Sequence, residues 1–125
     1  MTTEFMLLVC GGRTYGDEDP LEALTLAREL DGFLSAAGDS LVVLCGAASG
    51  ADILAWEWAV ARGVFWVLHP ADWARHGRAA GPLRNRAMLR WRPDAVLAFT
   101  GGSGTQNMVD TAAEHGILVC SPRQR

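Results

Sequence analysis

The residues best placed to do chemistry in this chain stand in three glycine-rich stretches, each directly behind a short apolar run. Gly11-Gly12-Arg13-Thr14-Tyr15-Gly16 follows the first run, Gly46-Ala47-Ala48-Ser49-Gly50-Ala51-Asp52 the second, and Gly101-Gly102-Ser103-Gly104-Thr105 the fourth. Glycine lets backbone N–H groups approach a ligand closely, and a helix that begins just beyond it adds a partial positive charge favouring phosphate. One such loop is often only a tight strand-to-helix turn. Three of them converging on one edge read as an anion or phosphate site. The expected ligand-binding residues are Gly11, Gly12, Arg13, Gly46, Ser49, Gly50, Asp52, Gly101, Gly102, Ser103, Gly104 and Thr105, joined by Arg84 and Asn85.

Arg84 and Asn85 follow Gly81-Pro82-Leu83, where a helix is expected to open. A cation in a first helical turn opposes the helix dipole, at a cost of about 0.3–1 kcal/mol. A residue set against local stability points to a job, such as a bidentate grip on phosphate or carboxylate. Around it, Asp72–Arg92 holds Arg75, Arg78, Arg84, Arg86, Arg90 and Arg92 against a single acid, locally +5 in a chain of net charge −3. Arg86, Arg90 and Arg92 read as a solvated face.

No catalytic residue is assigned, and Asp52, Asp72 and Asp110 are the weak candidates. Asp52 suits either a ribose hydroxyl or the dipole of its own helix. His69, His76 and His115 match no metal-ligand spacing, so neither a metal nor a cofactor is expected. Cys10, Cys45 and Cys120 end apolar runs and read as small hydrophobes in a reducing cytoplasm. The dinucleotide fingerprint G-x-G-x-x-G fails, since Arg13 holds its second glycine position, and Leu44-Cys45-Gly46 supplies no acid for a ribose. All basic residues are arginine, which excludes a P-loop, a lysine Schiff base and lysine-centred kinase chemistry.

The elements that must position these loops are equally legible. Five nearly continuous apolar runs, Phe5–Cys10, Leu41–Cys45, Val64–His69, Ala95–Thr100 and Ile117–Cys120, suit strands covered on both faces of a parallel sheet. Helical patterns lie between them: one opening at Asp19-Pro20-Leu21-Glu22 and stopped by Gly38, one from Ala51 to Arg62 ended by Gly63, one after Pro82, and one after Gly104. The alternation implies an α/β doubly wound parallel sheet with helices on both faces, of order 3-2-1-4-5, whose ligand site lies at the switch point between strands 1 and 4. Trp56 and Trp58 are too far apart around one helix to share a core stripe, so one is expected at a subunit interface.

A chain of 125 residues is expected to form a single domain, 1–125, burying about two-thirds of its unfolded surface. Its 50% hydrophobic content excludes intrinsic disorder, no apolar run approaches a membrane span, and MTTEFMLLVCGG lacks the basic start of a signal peptide. The expected location is cytoplasmic.

The ordered set Cys10-Gly11-Gly12-Arg13, Gly46–Asp52, Ala71-Asp72-Trp73, Ala80-Gly81-Pro82-Leu83-Arg84-Asn85 and Gly101–Thr105 resembles the YspA/YpsA-related branch of the SLOG superfamily. It is similar, more distantly, to LOG-type phosphoribohydrolases and to DprA. The resemblance implies a Rossmann-like domain that binds a nucleotide or nucleotide-derived ligand, and a homodimer or higher homo-oligomer. LOG-type enzymes carry a glutamate soon after their G-G-x-G-T motif, whereas Gln106-Asn107-Met108 follows Thr105 here and the first acid is Asp110. Without a carboxylate near the anomeric carbon, an oxocarbenium-like transition state is hard to stabilise.

Three functions follow as expectations. The first is a sensor or sequestering module for a nucleotide-derived small molecule. The second is a nucleotide N-glycosidase or phosphoribohydrolase using Asp52, Asp72 or Asp110. The third is single-stranded DNA binding through the arginines of Asp72–Arg92, which the net negative charge argues against.

Overall fold

A computed structural model describes residues 3–122. The five strands are β1 (Phe5–Cys10), β2 (Leu41–Cys45), β3 (Phe65–Leu68), β4 (Ala95–Ala98) and β5 (Leu118–Cys120). The helices are α1 (Pro20–Ala37), α2 (Ala51–Arg62), α3 (Trp73–His76), α4 (Ala80–Leu89) and α5 (Ser103–Glu114). The strands form one parallel sheet in the order β3-β2-β1-β4-β5, with Leu7 opposite Val43 on one side and Ala95 on the other. This is the Rossmann-like order expected from the alternation of strands and helices.

Side chains alternate across each strand, and so they build two cores. Leu7, Val9, Val43 and Leu97 pack beneath Leu26, Leu30, Ala55 and Trp58 of α1 and α2. Leu8, Leu44 and Val96 pack beneath Met88, Leu89, Met108 and Ala112 of α4 and α5. Both faces are covered only over β1, β2 and β4. β3 and β5 are edges, leaving Phe65 74% and Leu118 64% exposed, and β3, β4 and β5 are each shorter than their apolar runs. Trp58 enters the core and its Nε1–H donates to Asp31 (2.9 Å), while Trp56 stays at the margin, edge-on to Trp66.

Helix ends follow their chemistry with two corrections. Asp19 caps α1 by accepting from the Leu21 N–H (2.9 Å), and Gly63 ends α2 in the left-handed conformation. The helix expected after Pro82 instead begins at Ala80 and is preceded by the one-turn α3. Pro82 is tolerated as the third residue of α4, because first-turn N–H groups have no intrahelical partner. Arg84 is therefore past the first turn, and the dipole cost reckoned for it does not apply. Likewise α5 begins at Ser103, with Gly104 already inside it. No helix among the described residues is long and apolar enough to cross a membrane.

Candidate functional site

The loops after β1, β2 and β4 are bolted together by main-chain bonds. The Gly12 N–H donates to the Thr100 carbonyl (2.9 Å), and the Gly12 carbonyl accepts from Ala51 (3.2 Å) and Tyr15 (3.2 Å). The Gly12 amide is therefore committed to the scaffold. Gly50 holds φ +80°, and a methyl group there would overlap the Gly12 carbonyl. Ser49 Oγ donates to the Arg13 carbonyl (3.1 Å), fixing the β1 loop from the β2 side. Gly46 lies against the Arg84 guanidinium, where a side chain would collide with it.

What these loops frame is a cleft of about 910 Å³ beyond the carboxyl ends of β1 and β4, within the size range of small-molecule sites. Gly11, Gly12, Arg13, Asp52, Arg84, Asn85 and Gly101–Thr105 line it; Gly46, Ser49 and Gly50 do not, and act beneath it. Thr14, Glu22, Trp73, Arg78 and Asn107 also line it and are not among the expected ligand contacts, although Thr14 and Trp73 lie within quoted motifs and Arg78 within the arginine-rich segment. Glu22 is visible there only as an early acid of α1. Instead of closing a capping box on Asp19, its Oε1 accepts from the Gly16 N–H (3.0 Å), which draws the carboxylate to the cleft wall.

Of the helices that begin at this edge, α2 and α5 differ at their N-termini. α2 starts behind Gly50, and its end already holds an anion of the chain, since Asp52 Oδ2 accepts from the Ala48 N–H (3.3 Å). α5 starts behind Gly102 with no side-chain cap, so the first-turn amides of a 12-residue helix open into the cleft. Arg13, Arg78 and Arg84 stand around the same space.

Asp52 is 6% exposed, and burial pushes its carboxyl from 3.8 up to about 7; Arg84, the Ala48 N–H and Arg13 oppose that rise. Near neutral pH both its protonated and its charged forms are therefore populated. Burial, with Asp52 adding to it, pushes the thiols of Cys10 and Cys45 up to about 12, which leaves them protonated and poor nucleophiles. Asp72 accepts from the Arg75 N–H (3.1 Å) as the cap of α3, and Asp110 accepts from Gln106 Nε2 (2.8 Å) on an exposed face. Neither lines the cleft, so of the three acids only Asp52 stands where a ligand would sit. Among the described residues no cluster of His, Cys, Asp and Glu could hold a metal ion.

Asn85 is 4% exposed and satisfied by the protein itself. Its Oδ1 accepts from Arg84 Nε (3.0 Å), and its Nδ2 donates to the Gly104 carbonyl (3.2 Å) and to Asn107 Oδ1 (3.0 Å). It thus aims Arg84 and clamps α4 to the start of α5. Asn85→Ala should cost roughly 1–3 kcal/mol in urea denaturation, because the half-buried Arg84 and Asn107 lose their bonds to a buried amide; a loss under about 0.5 kcal/mol would contradict the clamp.

Comparison with known proteins gives a consistent frame. Residues 5–76 match the family described as YspA, cpYpsA-related SLOG. The chain is 38% identical over 120 residues to the Gene 61 protein of Mycobacterium phage D29, covering 90% of this chain and 92% of the phage protein. In three dimensions it resembles TM1055, a structural-genomics target, with a TM-score of 0.71 at 21% identity over 92% of this chain and 72% of that one. It also resembles DNA processing protein A (DprA) from Streptococcus pneumoniae, with a TM-score of 0.74 at 18% identity over 97% of this chain. It spans only 51% of DprA, about half its length. At these identities the two structures speak for the fold.

Proposed function

We propose, for a chain that belongs to the YspA, cpYpsA-related SLOG family, that the cleft captures a phosphate-bearing nucleotide or a small molecule derived from one. The observation that carries this reading is the uncapped N-terminus of α5 opening among Arg13, Arg78 and Arg84. Amides of Ser103, Gly104 and Thr105 would receive phosphate oxygens, and Arg84, aimed by Asn85, would add a charge-assisted bond. Asp52 would accept from a sugar hydroxyl, a role its burial favours because it has only one main-chain donor of its own.

A second reading has its own support. Asp52, with its carboxyl at about 7 in the same cleft, is placed to hold or release a proton beside a bound nucleotide, as an N-glycosidase or phosphoribohydrolase would need. Release of free base from a nucleoside monophosphate, abolished in Asp52→Asn, would establish it. The name of DprA raises DNA as a ligand, but a net charge of −3 supports a small molecule instead.

Calorimetric titration with nucleoside 5′-monophosphates and the matching nucleosides tests capture. The monophosphates should bind and the nucleosides bind far more weakly, and Arg84→Met should lower monophosphate affinity about 10- to 100-fold. Equal binding of nucleoside and nucleotide would sink the phosphate site.

A further inference from the structure

Trp73 sits oddly for an indole. It is 47% exposed and lines the cleft as the first residue of a four-residue helix. Two neighbours fix its attitude. Gly81 of α4 lies under the far edge of the ring, where even a methyl group would come within 3.3 Å of it. Arg13 lies over the ring, its guanidinium carbon 4.9 Å from the centroid. Among the described residues no carboxylate or carbonyl accepts from that guanidinium, although the Arg13 main chain is pinned by Ser49. No hydrogen bond or ion pair among the described residues therefore holds the side chain, while its loop is fixed.

We propose that Trp73 is the stacking platform for a planar heteroaromatic base and that Arg13 is its displaceable cover. The ligand class of the cleft is then a nucleotide with its base in place, as opposed to a bare sugar phosphate. This rests on the phosphate-capture reading above. An exposed cation over an aromatic ring is a weak pair, whereas the same guanidinium on a phosphate makes a stronger, charge-assisted one. Arrival of the phosphate would draw Arg13 off the ring and leave a face of the indole for the base. The alternative role, a latch that merely ties α3 to the β1 loop, makes no distinction between ligands with and without a base.

Binding of ribose 5-phosphate and of the four common nucleoside 5′-monophosphates should be titrated with the wild-type protein, Trp73→Leu and Trp73→Phe. The tightest monophosphate should bind the wild type about 5- to 100-fold more strongly than ribose 5-phosphate does. Trp73→Leu should erase that difference without weakening ribose 5-phosphate, and Trp73→Phe should restore most of it. Equal wild-type affinity for ribose 5-phosphate and all four nucleotides would overturn the stacking role while leaving phosphate capture intact. An equal loss for both probe types in Trp73→Leu would show a latch and overturn it too. If neither probe type binds the wild type, phosphate capture fails and this proposal falls with it.

Discussion

Gly50→Ala should cost about 3–5 kcal/mol of stability, because it combines two penalties at one atom. The backbone stands at φ +80° and ψ −129°, a conformation essentially reserved for glycine and worth roughly 1–3 kcal/mol of strain for any other residue. The new methyl would also overlap the Gly12 carbonyl and approach the Arg13 carbonyl carbon to 2.6 Å. Both are main-chain atoms that cannot swing aside, and overpacking of this kind costs about 1–3 kcal/mol more. Gly63→Ala separates the two effects. Gly63 also has positive φ (+67°) but nothing within 4 Å of where a methyl would stand, so it should lose only about 1 kcal/mol. Urea midpoints of the two variants would be compared with the wild type. Equal losses would mean that the β1 and β2 loops are not locked together as described.

Asp52→Asn should stabilise the ligand-free protein above pH 7 and leave it unchanged near pH 4. The carboxyl ionises near its ordinary 3.8 in the unfolded chain but only at about 7 in the fold, where burial disfavours the charge. Between those values the folded state binds more protons than the unfolded one, so wild-type stability falls as pH rises through that window. Each tenfold difference in proton affinity between the two states is worth about 1.4 kcal/mol, so the asparagine variant should gain roughly 2–4 kcal/mol at pH 8. It should also lose the slope between pH 4 and 7. Thermal or urea unfolding across that range reads both quantities, and parallel pH profiles for the two proteins would show that Asp52 is not held in a desolvated site. A carboxylate kept desolvated in a cleft at a cost in stability is the kind of group that binding and proton transfer use.

Much of this was legible in the sequence, because apolar runs and caps act locally. Continuous runs such as Leu41–Cys45 announced buried parallel strands, Asp19-Pro20 announced the start of α1, and right-handed crossovers then left few sheet orders. The cleft's position followed from the switch point. What escaped depended on packing across long sequence separations. Gly46 and Gly50 read as phosphate-loop glycines, and that their missing side chains also make room for Arg84 and for the Gly12 carbonyl is visible only in the fold. Asn85 reads as a ligand contact and does line the cleft, but its bonds to Gly104 and Asn107, about twenty residues on, which also make it a clamp between two helices, are not legible in the sequence. Glu22 and Arg78 reach the cleft from α1 and from the segment before α4, and no spacing rule links them to the glycine loops, while Trp73 stands in the motif set with no role legible for it. The start of α4 was misplaced because Pro82 is a breaker inside a helix but harmless in its first turn.

Native mass spectrometry of freshly purified protein, followed by denaturation and identification of any released molecule, tests nucleotide capture most directly. The expected result is a nucleotide mass that adds to the wild-type chain, or is acquired from a panel of nucleoside monophosphates and their derivatives. That mass should be lost in Arg84→Ala while the variant remains folded. A wild-type protein that retains nothing and acquires nothing from the panel, and releases no free base into it, would contradict a phosphate-binding cleft at the end of β1 and β4.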